Sequence, residues 1–212
     1  MKMTHWKAIL LAYRHVEELL ERELGTVNLD PALREHLSEG ALDAMSRTLM
    51  AEVDALRAAL ETDLRHDDVE KVLQPFAFLV DEKVLARLSN EDAQHWPLLQ
   101  LRAFGVDAGG DLFFELADTA LRRPDTAPLL FEMLHFCLTA GFIGRHVGHP
   151  ARLRDYREQL AARIPRPETQ VGEAHTEAAP PPPTLYDFPW RYYAVTVSII
   201  IAVPVLLWHL SN

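Results

Sequence analysis

The final stretch of the chain, AVTVSIIIAVPVLLWHL, constrains it more than any other feature. From Trp190 to Leu210 the only charge is Arg191, at the edge, over about the 20 residues a helix needs to cross a bilayer core. Trp190, Tyr192, Tyr193 and Trp208 stand toward its two ends, where amphipathic rings favour the membrane interface. Pro204 is compatible with such a helix through local adjustment of the backbone. A buried core helix is the competing reading, and the sequence just before the run argues against it. PRPETQVGEAHTEAAPPPPTLYDFP holds half of the fourteen prolines and almost no apolar residue before Leu185. It reads as a flexible linker whose prolines 180–183 form a polyproline II spacer, with a ligand for a polyproline-binding domain as the alternative.

The organisation expected is therefore a domain over residues 1–164, a Pro-rich linker over 165–189, a transmembrane tail anchor over 190–210 and a short tail over 211–212. Arg191 precedes the span, and the positive-inside rule places the N-terminal side in the cytoplasm and the C-terminus in the periplasm. The opening MKMTHWKAILLAYRH has two lysines, but its apolar stretch Ala8 to Ala12 is too short for the core of a signal peptide. Charge narrows the partners. With 21 Lys and Arg against 31 Asp and Glu, a net charge of −10, the chain lacks the cation excess that binds nucleic acid, so protein partners are expected. The single cysteine, Cys137, excludes an intramolecular disulfide and fits a reducing compartment.

Within 1–164 the apolar period is helical. Trp6, Ile9, Leu10, Tyr13, Val16, Leu20 and Leu24 recur at three and four residues, and Gly25 supplies a stop. Asp30-Pro31 is a cap followed by a first-turn proline, and Met45, Leu49, Val53, Leu56, Leu60 and Leu64 form a second stripe whose start Gly40 breaks. A third helix opens near Asp67 and Asp68, runs through Val80 and Val84, and is expected to kink at Pro75. WPLLQLRAFG, GGDLFFELADTALRRP, DTAPLLFEMLHFCLTAGF and PARLRDYREQLAARI give shorter helices, the third capped by Asp125 or Thr126 and the last turning Leu153, Tyr156 and Leu160 inward. No stretch alternates as a strand does, so the expected fold class is all-α.

Motifs for chemistry are absent. There is no nucleophile elbow or zincin helix, and GVDAGG lacks the glycine order that cradles phosphates, so no catalytic, cofactor-binding or metal site is assigned and no cofactor is expected. His135, Cys137, His146 and His149 hold metal-ligating atoms, but the first two are two apart on a helix and do not share a face. The polar feature that stands out is FAFLVDEKVLARL, where Asp81 and Glu82 interrupt an apolar run with no base three or four positions away. Three readings remain: an internal ion pair, with Arg145 as the candidate partner; a docking surface for another protein; or acid–base chemistry. Arg145, Arg152, Arg154, Arg157, Arg163 and Arg166 form a basic stretch suited either to solvent or to an anionic leaflet. In the anchor, Ala194, Ser198 and Ala202 align at four-residue spacing, a candidate self-association face.

FLVDEKVL, HWPLLQLRAFGVDAGGDLFFEL and LLFEMLHFCLTAGFIGRH resemble, in order and spacing, the DotU/TssL family of bacterial type VI secretion systems, related to DotU/IcmH of type IVB systems. The resemblance covers about residues 8–165 and the anchor. His146 stands where the family usually has tyrosine, and His135 where an aromatic is common; both replace one ring by another. The resemblance implies a hook-like cytoplasmic domain of two small helical bundles on one inner-membrane helix. It also implies a non-enzymatic scaffold that joins the large IcmF-like protein TssM and, through it, the lipoprotein TssJ, docks baseplate proteins such as TssK, and self-associates as a dimer. Some relatives carry a peptidoglycan-binding domain after the membrane helix; with few residues there, cell-wall anchoring is expected from a partner. Asp81 and Glu82 match the family's acidic pair, and their charge reversal is expected to weaken docking while leaving the fold intact. The rival readings are a tail-anchored helical regulator and a membrane-tethered enzyme unrelated to secretion.

Overall fold

The apolar stripes read from the sequence are the surfaces on which the helices pack. The computed structural model describes residues 3–25 and 36–165, which belong to one compact unit, Met1–Arg166. Eight α-helices are present among the described residues: α1 (Met3–Leu24), α2 (Glu39–Glu61), α3 (His66–Leu85), α4 (Asn90–His95), α5 (Leu99–Phe104), α6 (Gly109–Arg122), α7 (Pro128–Thr139) and α8 (Pro150–Arg163). One turn of 3-10 helix, Gly144–His146, precedes α8, and no strand occurs among the described residues. The expectations for Asp30-Pro31, for the linker after residue 165, for the anchor and for Ala194, Ser198 and Ala202 lie outside the described residues. Among those described, no helix is long and apolar enough to cross a membrane.

α1 buries Ile9, Ala12, Val16, Leu19 and Leu20 and stops where Gly25, at φ 70°, donates its N–H to the Glu21 carbonyl. α2 begins before Gly40 rather than after it, because the Ser38 hydroxyl accepts the Ala41 N–H at 3.2 Å and starts the helix there. α3 is buried on almost every side from Val72 to Val84, as expected of the central helix of a domain. It continues through Pro75. The carbonyl that loses its partner to the proline ring belongs to Lys71, an exposed residue, and the Pro75 carbonyl accepts the Cys137 thiol at 3.4 Å.

α3 is shared by two groups of helices, α1 and α2 with the short α4 and α5, and α6, α7 and α8. Their core is nevertheless continuous, from Ile9 through Phe76 to Leu160. α4 is too short to show a period, but its start is marked by Ser89, whose hydroxyl accepts the Asp92 N–H. The cap of α7 differs from expectation: Ala127 holds the cap position and Pro128 opens the helix. Thr126 instead donates its hydroxyl to the carbonyls of Ala120 and Arg123, closing the turn after α6.

The domain has two distinct ends. At one, the start of α1 meets the end of α2 through His5 and Asp63 and meets α7 through the Trp6 indole N–H and the Glu132 carboxylate. Arg163, at the end of α8, donates there to the carbonyls of Leu121 and Arg123 and lies over the Phe131 ring. The chain leaves the domain at this end. The last turn of α3 and the first of α6 belong to the other.

Candidate functional site

Asp81 and Glu82 are neighbours in the last turns of α3, so their side chains diverge by about 100° around the helix axis. Asp81, 2% exposed, reaches α5. Its Oδ1 accepts the Trp96 indole N–H and the Leu99 N–H, and its Oδ2 the Gln100 N–H, all at 2.9 Å. A helix leaves its first N–H groups without internal partners, and Asp81 supplies them to α5 from a different helix, where Leu98 at the cap position has no side-chain acceptor. Glu82 reaches the segment after α7: its two oxygens accept the N–H groups of Ile143 at 2.7 Å and Gly144 at 2.8 Å. Burial raises Asp81 above the ordinary carboxyl range against the pull of the Gln100, Trp96 and Leu99 donors. Glu82 is raised by burial too, against the Gly144 and Ile143 amides and the Lys83 ammonium.

Two glycine positions tighten the same junction. Gly144 has φ +51°, and a Cβ there would stand 2.8 Å from the Gly110 carbonyl oxygen and 3.1 Å from the Phe114 ring. A Cβ on Gly109 would stand 2.7 Å from the Phe78 ring and collide with the Gln100 side chain, whose amide donates to the Asp107 carbonyl at 2.9 Å. Between these parts lies a cleft of about 250 Å³ lined by Phe78, Asp81, Glu82, Leu85, Leu98, Gln100, Asp107, Gly109, Gly110 and Phe142. The three sequence segments singled out above thus meet at one place. FLVDEKVL supplies the carboxylates, HWPLLQLRAFGVDAGG the first set of donors and the glycine floor, and GFIGRH the second.

A family model for the type VI secretion system protein DotU matches residues 25–211. The chain belongs to the DotU family. Two solved structures share the fold of this family member. DotU from Francisella novicida has TM-score 0.58 and 18% identity, covering 76% of this chain and 99% of its own. SciP/TssL of the type VI secretion system from enteroaggregative Escherichia coli 042 has TM-score 0.55 and 22% identity, covering 87% and 97%. No curated protein sequence matches the chain significantly.

The expected ion pair between the acidic residues and Arg145 does not form in this DotU-family domain. Backbone and indole donors occupy both carboxylates, and Arg145 lies 3.7 Å from Asp111 with its guanidinium over the Phe114 ring. The base that α3 does use is the next one along. Lys83 and the buried Arg87 each lie 2.8 Å from one oxygen of Glu17, tying α1 to α3. Sequence reasoning missed Glu17, Trp96 and Gln100; the Ser89-to-Asp92 cap and the Trp-Pro pair were the signals that this segment is held rather than loose.

The four metal-ligating side chains noted in the sequence are not a cluster: among the described residues, no group of three or more His, Cys, Asp or Glu is placed to hold a metal. Cys137 is fully buried. His146 packs edge-on against Phe114 at 4.3 Å between ring centroids and beside Tyr156 at 5.7 Å. Burial lowers its pKa, as do Arg145, Arg152 and His149, against Asp118. His66 is raised by its hydrogen bond to Glu61. The signs are opposite. A lowered His146 gives stability that is complete above the unfolded value of about 6.5 and is lost as pH falls from there through the lower, folded value, whereas the His66 contribution is lost as pH rises through its folded value. Histidine NMR should show His146 titrating below, and His66 above, an unstructured histidine; the reverse order would contradict this packing.

Proposed function

We propose that this DotU-family chain is a non-enzymatic structural component of the type VI secretion membrane complex. Its helical domain is cytoplasmic and docks the baseplate, and its terminal run is the inner-membrane anchor. TssM is its membrane partner, TssJ is reached through TssM, and TssK is the baseplate contact; the anchor face Ala194, Ser198 and Ala202 supports a dimer. The observation that carries this reading is the convergence of the three segments on one cleft whose two carboxylates from α3 are internally satisfied. Such a site has a fixed shape and no group prepared for chemistry, which suits recognition. Its rim offers apolar surface: Leu85 is 36% and Ile143 40% exposed beside Glu82. Confinement by the anchor raises effective concentration, so a modest docking interface suffices in the assembled machine.

The test separates contact from folding. Leu85→Glu with Ile143→Glu changes side chains that are 36% and 40% exposed, and helical content and melting temperature measured beside the parent report any loss of fold. Affinity purification from gently solubilised membranes should then retain the IcmF-like partner and lose baseplate subunits by tenfold or more, about 1.4 kcal/mol in binding. Full recovery of the baseplate subunits would remove the rim from the docking surface.

A further inference from the structure

The outer face of α1 combines exposed leucines with cations. Lys7, Leu10, Leu11 and Arg14 are all exposed and occupy neighbouring positions at three- and four-residue spacings, with Leu10 51% and Leu11 53% exposed. The first 16 residues contain Lys2, Lys7 and Arg14 and no Asp or Glu, in a chain of net charge −10. The acid that follows, Glu17, is held by Lys83 and Arg87, and Glu18 begins the next, acidic stretch. The opposite face of the helix is fixed in the core by Ile9, Ala12 and Val16, so the helix presents this stripe as a rigid surface.

Position strengthens the charge argument. Trp6 is bonded to Glu132 while Arg163 lies over Phe131, the adjacent residue of α7, so the start of α1 and the point where the chain leaves the domain share one end. We propose that the Lys7–Leu10–Leu11–Arg14 face of α1 docks on an anionic phospholipid surface. The inference rests on the membrane-anchored reading above. Two leucines and two cations would bind a leaflet weakly on their own; on a tethered domain they set its orientation. Cations beside leucines are what an acidic leaflet favours, and they disfavour a second copy of this chain, since a symmetric contact would bring the same cations together.

The probe is a fluorophore on Thr4→Cys, at the head of the face; the buried Cys137 leaves the new thiol as the accessible one. Full-length chain is reconstituted into nanodiscs of phosphatidylcholine, or of phosphatidylcholine with phosphatidylglycerol, containing a spin-labelled lipid quencher. Quenching should be strong only with phosphatidylglycerol and should disappear in Leu10→Ser/Leu11→Ser. Lys7→Glu/Arg14→Glu should lower the ratio of docked to undocked domain by about tenfold or more, since each cation near an anionic leaflet contributes about a factor of five. Equal helical content in the variants excludes unfolding as the cause. A chain that co-purifies with the discs yet is unquenched, or is quenched equally in both lipids, overturns this inference alone; emission shifted without quenching assigns the face to a contact with a second copy of the chain and overturns it as well. A chain that does not enter the discs overturns the anchored reading and this inference with it.

Discussion

Asp81→Ala should cost about 3–5 kcal/mol of folding stability, the largest loss expected of any single polar substitution in the domain. The truncation leaves three buried donors, the Trp96 indole and the Leu99 and Gln100 amides, with no acceptor in reach. Each unsatisfied donor costs about 1–3 kcal/mol, and α5 loses the capping of its first turn. Since a domain of this size is stable by about 5–15 kcal/mol, urea unfolding followed by circular dichroism should show a large fall in midpoint. Asp81→Asn discriminates between charge and geometry. Burial raises Asp81, so the folded state holds the proton more tightly than the unfolded state; stability from this group is fully present below the unfolded value and is lost as pH rises through the folded one. Burial thus offsets part of what the three hydrogen bonds give the charged form, and the junction is held by acceptor geometry at both oxygens. The asparagine oxygen replaces part of it, so the Asn variant should unfold between the parent and Asp81→Ala. An Ala variant within about 1 kcal/mol of the parent would make the network dispensable and return the acidic pair to the list of docking groups. It follows that charge reversal of the pair should not leave the fold intact, contrary to the expectation from sequence.

What the sequence made legible was whatever depends on local period and local stops. The stripe from Ile9 to Leu20, the Gly25 and Gly105 ends and the inward face of Leu160 all follow from spacing along one helix. The oddity of Asp81 and Glu82 was legible for the same reason, since two carboxylates without a base one turn away break the pattern. Their partners were not. Asp81 is satisfied by donors 15 to 19 residues away, and Glu82 by amides 61 and 62 residues away. Apart from the Trp96 indole, those donors are backbone N–H groups, which every residue but proline carries, so no side-chain pattern marks them. Searching for a cation led to Arg145, which the fold places against Asp111 and Phe114 instead. α4 was missed because its six residues, NEDAQH, include a single apolar side chain, Ala93, and so show no stripe.

The role of the glycines at the cleft yields a prediction in which the same substitution has opposite signs at two sites. Gly40 and Gly109 both lie in the first turn of a helix, where alanine is ordinarily the better residue. Around Gly40 nothing stands within 4 Å of an added Cβ, so Gly40→Ala should be neutral or stabilise by up to about 1 kcal/mol. At Gly109 the Cβ would lie 1.9 Å from the Gln100 Oε1 and 2.7 Å from the Phe78 ring. A flexible side chain on the surface would move aside, but Gln100 is 6% exposed, its side-chain amide holds the Asp107 carbonyl and its backbone N–H belongs to Asp81. Phe78 is enclosed as well. Gly109→Ala must therefore displace α6 or break the Gln100 bonds, and should destabilise by about 2–4 kcal/mol, overpacking together with a lost hydrogen bond. Thermal melts of the two variants beside the parent give the comparison directly. If Gly109→Ala matches Gly40→Ala, the floor of the cleft yields to an added methyl group, and the proposed docking site is a deformable surface rather than one whose shape α3, α5 and α6 impose. A loss at Gly109 alone ties the shape of the cleft to the stability of the domain, so that variants meant to probe docking have to be made on the exposed rim.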